Sequence, residues 1–555
     1  MPSTTKKKPS VAVIGGGVTG LAAAWHLHQS DTVDVHLFEK EPRLGGHAHT
    51  VRVVGNDSDD NKDVAVDIGF MVFNDTNYPN LTRWFQALGV DAEDSDMSLS
   101  VSLDGGQSVE WSSDGLNGLF AKRSQITSLV FYSYVADMLR FNEQAPKLLQ
   151  MDAADPRRQV TTAEYLRRNR YGIPFQHYYL LPMMAALWSA SMADVLQFPA
   201  AQLIAFLQNH KMLQLFDRPQ WKTVAGRSIM YTERVQQAIL DGGNKGVHVD
   251  TAVVHVTRIG DGWQLEAAVG RYLGTFDHVV FACHPPTAAA LLTPRGGGHM
   301  EHKSSITEVC SLLQGIQYAD NVVYVHSDPK LMPARRHAWA SWNCLGQSQY
   351  LASSTTQSKS YGEAFEGGES GFGNKISTTT NGDNDASHLE GPDGRMKAVY
   401  VTYWLNRLQN LNTNRDMFVS LNPHQRPDDA LTHHRLVLAH PQFTPATLQA
   451  REELQAYQGR ENLWFGGAWQ GYGFHEDGCR AGFEMATQIT GKPLPWAADA
   501  KAPVLPPPDL TAAPASTTSI VALPNQLAKS IYQYLTYKLP VTLCKRFVRG
   551  FLATA

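Results

Sequence analysis

The run VAVIGGGVTGLAAAWHL, residues 11–27, restricts this chain more than any other stretch. Val11 to Ile14 is a short, β-branched-rich segment of the kind buried in parallel sheets. Gly15, Gly17 and Gly20 complete G-x-G-x-x-G, and Leu21 to Leu27 continues with helical composition. Strand, glycine turn and helix in that order make a dinucleotide cradle. Gly15 permits the tight turn, Gly17 lets backbone approach a pyrophosphate, and Gly20 lets the helix pack closely on the strand. The helix N-terminus turns unpaired N–H groups and partial positive charge toward the phosphates. A second run, VDVHLFEK, ends in Glu39, 19 residues beyond Gly20, where an acid accepts hydrogen bonds from ribose hydroxyls. Lys6, Lys7 and Lys8 ahead of the apolar run imitate a secretion signal, but the glycines break the helical segment that such a signal needs.

The 555 residues leave room for about two to four domains and a sizeable core. Lys plus Arg number 48 against 52 Asp plus Glu, so the net charge of −4 carries no bias toward nucleic acid. The five cysteines, Cys283, Cys310, Cys344, Cys479 and Cys544, show no CxxC spacing. That suits a reducing, cytoplasmic setting and argues against a disulfide framework or a structural zinc site. No apolar run reaches the roughly 18 residues of a membrane-spanning helix.

The residues after Glu39 narrow the ligand. EKEPRLGGHAHTV sets Arg43, Gly45 and Gly46 directly behind the acid, and VDIGFMVFN follows with Asp67 and Gly69. Far along the chain, NLWFGGAWQGYGFHEDGCRAGFEMA (462–486) again reads as strand, glycine turn and helix. With these elements the chain resembles the flavin-dependent amine oxidase and carotenoid desaturase superfamily. In that superfamily R-x-G-G behind the ribose-binding acid marks FAD rather than NAD. Bare backbone at Gly45 and Gly46 allows close approach to the pyrophosphate and flavin, and Arg43 supplies charge nearby. The resemblance also implies that the closing segment brings a second helix N-terminus to the flavin, where N–H groups stabilise charge on the reduced ring. Gly466, Gly467, Glu476, Asp477 and Gly478 carry over on that basis, and Val253 carries over as the residue lying over the adenine through its backbone. Cys479 lacks the context for covalent attachment, so the FAD is expected to be non-covalent, with the thiol simply buried.

The expected fold class is α/β, with a discontinuous Rossmann-like FAD-binding domain (10–90, 224–300 and 455–496) and an interleaved α+β substrate domain (91–223 and 301–454). Residues 246–286 alternate in polarity with turn signals at Gly260-Asp261-Gly262 and Gly270, a β-meander returning to a buried strand. The first piece of the substrate domain reads as mainly helical and the second as mixed. Residues 346–395, rich in Gly, Ser, Thr, Asn and Asp, and the shorter polar stretch 56–63 read as surface insertions, the longer one disordered. A Pro-rich linker (503–525) leads to a tail (526–555) with five bases, Lys529, Lys538, Lys545, Arg546 and Arg549, and no acids. Leu527, Ile531, Tyr534 and Leu535 recur at helical spacing, so the tail suits either an anionic membrane surface or the protein's own core.

Strings such as LPMMAALWSAS, FLQNHKML, LAHPQF and GYGFHEDG resemble the predicted NAD/FAD-binding, amine-oxidase-like branch of the superfamily. Members of that branch are associated with cyclopropane-fatty-acid-synthase-like methyltransferases, and some relatives reduce, desaturate or isomerise fatty acyl chains. The resemblance therefore implies an FAD-dependent oxidoreductase acting on an apolar acyl or lipid substrate by hydride transfer at flavin N5, with a lipid methyltransferase as a partner. His47, Tyr472 and His475 are the catalytic candidates, the two histidines as proton-relay groups beside the ring. Their alternative reading is packing in buried turns. The aromatics Trp339, Trp342, Trp469 and Phe474 read as core, cofactor packing or channel wall. Cys283 and His284 read as packing after a sheet strand. H-x-H and H-E-D offer no recognised metal-ligand spacing, and no metal is expected. Two other functions stand beside this one: an amine or carotenoid-like oxidase, and a non-catalytic FAD-bound scaffold of a lipid-modifying complex.

Overall fold

Val11 and Val13 turn to one face of their strand and Ala12 and Ile14 to the other, and both faces are buried. A strand covered on both sides must be apolar throughout, which is why Ser10–Ile14 shows no polar alternation. In the computed structural model, which describes residues 7–55, 62–152, 154–188, 192–214, 218–241, 246–293, 305–348 and 399–497, this strand is the centre of a five-stranded sheet. Asp34–Phe38 and then Val247–His248 lie on one side of it, His278–Phe281 and then Leu463–Phe465 on the other, all parallel. The last strand is thus brought beside the first by two pairings in register.

One face of this sheet carries the opening helix Val18–Gln29 and the closing helix His475–Thr490, packed directly on each other. The other face carries a three-stranded antiparallel meander (Val253–Ile259, Gly262–Ala267, Tyr272–Phe276) and the helices Pro285–Leu292, Ser305–Gly315 and Pro445–Leu454. Trp263 and Leu265, fully buried, anchor the meander, while its outer face is mixed, with Thr257 and Arg258 exposed beside Ile259 and Tyr272.

A seven-stranded sheet forms the second layer, in the order Thr432–Pro441, Tyr318–His326, Phe418–Leu421, Val399–Trp404, Trp342–Gly346, Leu99–Leu103 and Val109–Ser112. Its strands pair antiparallel except where Trp342–Gly346 meets Leu99–Leu103 in parallel. Helices between residues 129 and 209 share its hydrophobic core. The stretch 91–223, which reads as mainly helical, also contributes strands to this sheet and to the two-stranded pair Ala92–Ser95 and Trp221–Val224. Those strands are four or five residues long, and apart from the hairpin of Leu99–Leu103 with Val109–Ser112 their partners lie far along the chain, so little in the local pattern announces them. Among the described residues no helix is long and apolar enough to cross a membrane. The insertion 346–395 falls mostly outside the described residues, as do most of 56–63 and the whole of 503–555.

Candidate cofactor and substrate site

The turn after the first strand is built by contact between glycines. Gly15 has φ +108°, donates its N–H to the Phe38 carbonyl at 2.8 Å, and lies so near Ala282 that a Cβ would sit 2.8 Å from its carbonyl oxygen. A Cβ on Gly20 would collide with the Gly15 carbonyl. The second glycine loop docks on this turn: Gly45 N donates to Gly16 O at 2.8 Å, and a Cβ on Gly46 would lie 3.0 Å from the Gly17 Cα. Gly17 differs from all of these, because a Cβ there meets nothing within 4 Å. The space in front of Gly17 is open, and no side chain caps the opening helix behind it. Arg43 donates from Nη2 to the Gly46 carbonyl at 3.1 Å, while its Nη1 is buried with no partner. Burial lowers the pKa of this guanidinium. An open glycine cradle, an uncapped helix N-terminus and an orphaned cationic N–H fit the diphosphate of a dinucleotide.

Glu39 and its neighbours form the next part. Oε2 accepts from Gly16 N at 2.6 Å and Oε1 from Glu41 N at 2.9 Å, leaving each oxygen a further lone pair. Glu39 N donates to His248 O, and Thr251 N to Glu39 O at 2.8 Å, which clips the segment leading into Val253 beside the acid. Asp67 lies further on, with its carboxylate occupied by protein: Thr50 Oγ1, Ser228 Oγ and Ser228 N donate to it at 2.6–2.8 Å. It ties the hairpin Thr50–Val53 and Val64–Asp67 to the start of the helix Ile229–Leu240. Gly69 is pressed against the His47 carbonyl, to which Phe70 N donates at 2.9 Å, so the R-x-G-G and D-x-G segments touch.

The closing segment meets the opening one directly. Gly466 N donates to Phe281 O at 3.0 Å, and a Cβ on Gly466 would lie 3.4 Å from Thr19 Cγ2. A Cβ on Gly478 would fall 2.7 Å from Val18 Cγ1 and 2.9 Å from Thr19 Oγ1. Gly467 is extended and faces the edge of the Trp469 indole. The two acids expected here bind protein backbone through their side chains. Glu476 accepts from Asn80 N, Asn80 Nδ2 and Leu81 N at 2.7–3.1 Å, capping the helix Pro79–Leu88, and burial pushes its carboxyl up to about 7. Asp477 accepts from Tyr472 N and Phe474 N at 2.9 and 3.0 Å and so shapes the loop 471–474.

Residues 18–490 match the family model described as flavin containing amine oxidoreductase. The chain belongs to that family. Wild-type putrescine oxidase bound to putrescine superposes with a TM-score of 0.52 at 13% identity, covering 87% of this chain and 99% of that one. The conjugated-linoleic-acid-producing fatty acid isomerase from P. acnes superposes with a TM-score of 0.52 at 11% identity, covering 88% of this chain and 100% of that one. Both likenesses are of fold. Tryptophan 2-monooxygenase from Allorhizobium ampelinum is 42% identical over 67 residues, 12% of this chain and 9% of that enzyme. This flavin-containing amine oxidoreductase is an FAD enzyme, and the cradle described above has the groups that FAD requires.

The catalytic candidates of this oxidoreductase fall in two places. His475 stacks on Phe70 with centroids 3.8 Å apart, and its Nε2 shares a 2.7 Å hydrogen bond with the Tyr231 hydroxyl. Burial, aided by the nearby His47, lowers its pKa to about 3, so the imidazole is neutral. His47 donates from Nε2 to the Ala439 carbonyl at 3.1 Å, an arrangement that leaves Nδ1 as an acceptor. Its ring lies 5.4 Å from that of His440 and 6.3 Å from that of His284. Tyr472 faces away from this pair, against Phe206 and His210, as a neutral phenol whose pKa burial raises. Trp469 is buried in the meander-side core. Trp339 meets Trp404 and Phe418 edge to face, and Trp342 packs against Tyr403. Cys479 is buried, and burial pushes the Cys283 thiol up to about 12.

Several residues of the site escape sequence reading. Trp188, Phe198, Gln202, Leu203 and Phe443, beside the expected Tyr472, line a small pocket of about 20 Å³ whose remaining wall is Leu448, Arg451 and Gly471. Arg451 sits in PATLQAREEL, where an inward arginine is indistinguishable from a solvated one. Tyr231 likewise carries no local signal.

Proposed function

We propose that this FAD oxidoreductase acts on an apolar acyl chain by oxidation, reduction or double-bond isomerisation. The observation that carries the reading is the fold shared with a fatty acid isomerase by a chain of the flavin-containing family. An apolar chain offers no group to grip except its methylenes, and burying each is favourable by roughly 0.8 kcal/mol. Trp188, Phe198, Phe443 and Tyr472 offer apolar surface of that kind beside the closing segment, around a space of about 20 Å³. The fatty acid isomerase among the structural neighbours is consistent with an acyl substrate on this fold. Bound FAD supplies two-electron chemistry, accepting or returning hydride. Gly17, Gly45, Gly46 and Arg43 hold its diphosphate, and Glu39 takes its ribose. His47, with Nδ1 available, is the group placed to hold a proton near Gly69 and Phe70. Contact of the basic tail 526–555 with the cytoplasmic face of a membrane, and a lipid methyltransferase as partner, belong to the same reading.

Anaerobic mixing of the purified yellow protein with fatty acyl lipids or with amines tests it. Bleaching of the flavin band by lipids, or a two-hydrogen mass change or a moved double bond in lipids of cells that contain the protein, is the expected result. Bleaching by amines alone would replace it with amine oxidation. No turnover, with a methyltransferase co-purifying, would replace it with the scaffold function.

A further inference from the structure

The helix Leu129–Gln144 begins with apolar residues on its outside. Leu129 is 85% exposed and Val130 50%, and Ile126, in the turn just before them, is 38% exposed. Ser133 and Ala136 continue the open face without charge. The other face of the helix is spent on the core, where Phe131, Tyr134 and Phe141 are buried. The turn is also tied down, because the Tyr132 hydroxyl donates to the Ile126 carbonyl at 2.8 Å and Ser128 Oγ accepts from Phe131 N at 3.3 Å. Charge beside this face has one sign. From Gly115 to Ala136 the chain holds Lys122 and Arg123 and no acid. Lys122 donates to the Gln107 and Ser108 carbonyls, and Arg123 to the Phe120 carbonyl and the Asn117 side chain, all uncharged partners. Neither base forms an ion pair among the described residues. The acids bordering the stretch already answer arginines: Asp114 pairs with Arg407 at 2.8 Å, Asp137 with Arg140 at 2.7 Å and Glu110 with Arg335 at 2.6 Å. Asp104, beyond Ser108, accepts from the Ser108 hydroxyl and Ser348 N.

We infer that Ile126, Leu129 and Val130, flanked by Lys122 and Arg123, dock the protein on an anionic lipid surface. Charge chooses the occupant. A second copy seated through the same face would bring the same two bases to the contact, and the tail 526–555 carries five bases and no acid. Both would meet like charge. An anionic bilayer offers phosphate oxygens to the two bases and an apolar interior to the three side chains. A leucine that projects from a helix start also needs no shaped groove in a fluid surface. This contact differs from that of the basic tail and holds whichever substrate the flavin site takes, so it stands apart from the acyl-chain reading.

Co-sedimentation of the full-length, FAD-loaded protein with vesicles tests this, using phosphatidylcholine alone and an equal mixture of phosphatidylcholine and phosphatidylglycerol. The variants are Leu129→Ser with Val130→Ser, Lys122→Gln with Arg123→Gln, and a chain whose five tail bases are replaced by Gln. Flavin absorbance and melting temperature report that each is folded, as expected for exposed positions. Wild type is expected to bind the anionic vesicles at least about tenfold more tightly than the neutral ones. Each double variant at the face is expected to weaken that binding about tenfold, and the Leu129 and Val130 effect to persist when the tail bases are gone. Unchanged binding in the Leu129 and Val130 variant overturns the face and leaves the tail as the contact. Equal binding to neutral and anionic vesicles overturns the charge argument, and no binding to either overturns face and tail together. A wild-type dimer in analytical ultracentrifugation that the Leu129 and Val130 variant breaks would replace the lipid with a second copy. None of these outcomes bears on turnover of acyl lipids, which the anaerobic flavin experiment decides separately.

Discussion

His475 shows how one residue's surroundings set its chemistry. Stacked on Phe70 and hydrogen-bonded to Tyr231, it cannot hold a proton in the folded chain until the pH is near 3, whereas an unfolded chain binds one below 6.5. Between those values the unfolded state carries more protons, so this contribution to stability is present above about pH 6.5 and is lost as the pH falls through the window. At pH 5 the loss is about 2 kcal/mol. Replacing His475 by Gln is therefore expected to flatten the drop in melting temperature between pH 7 and pH 5, and an unchanged drop would contradict the neutral, packed imidazole. Glu476 has the opposite sign. Its folded value near 7 lies above its ordinary 4.5, so its burial destabilises the fold increasingly as the pH rises through that interval. Glu476→Gln is expected to melt higher relative to wild type at pH 8 than at pH 5, provided the amide keeps part of the cap on Asn80 and Leu81. Arg43 belongs to the same scale. Removing its unpaired Nη1 with Arg43→Met is expected to weaken FAD binding about tenfold, measured by quenching of flavin fluorescence, with little change in the melting temperature of the flavin-free protein.

At the scale of elements, the contact that matters is between the opening and closing helices. Val18 and Thr19 lie where any side chain on Gly478 would go. Gly478→Val is expected to destabilise the protein by about 1–3 kcal/mol, because the two helix starts must separate. A melting temperature equal to wild type would mean that the starts are not in contact. The same pair explains what sequence could reveal. The opening turn, Glu39, the R-x-G-G loop and the closing glycines are each demanded by a local steric requirement, so they stand out as short strings. The pairing of Leu463–Phe465 with His278–Phe281 is a long-range fact that no local string announces; recognising complementary halves of one cofactor site implies only that both ends of the chain meet there. The seven-stranded sheet was not legible, because strands such as Leu99–Leu103 are short and pair with remote segments such as Trp342–Gly346. Asp67 is expected at the cofactor from its motif position, and Glu476 and Asp477 as part of a helix start that offers backbone N–H groups; their side chains are not addressed by that pattern. Their hydrogen bonds instead join protein segments around it, a role that spacing alone does not encode.

At the scale of the whole molecule, two sheets face a shared site. The parallel sheet and its helix starts form the dinucleotide cradle, while the small apolar pocket beside Gly471 is lined by Trp188, Phe198 and Leu203 of the helical layer and by Phe443, Leu448 and Arg451. His47 reaches the Ala439 carbonyl, on an edge strand of the larger sheet, and Tyr472 reaches Phe206 in the helical layer. Loops anchored in the parallel sheet thus touch both the seven-stranded sheet and the helical layer, which is how one chain joins a common cofactor cradle to the rest of its structure. Everything else depends on the cradle being occupied by FAD. Gly17 offers the most direct test, since a side chain there meets no protein atom and would enter only the space assigned to the diphosphate. Titrating FAD into flavin-free wild type and Gly17→Val should give one FAD per wild-type chain and binding at least about tenfold weaker in the variant, with the two apoproteins melting alike. Equal affinity in the two proteins would contradict the account.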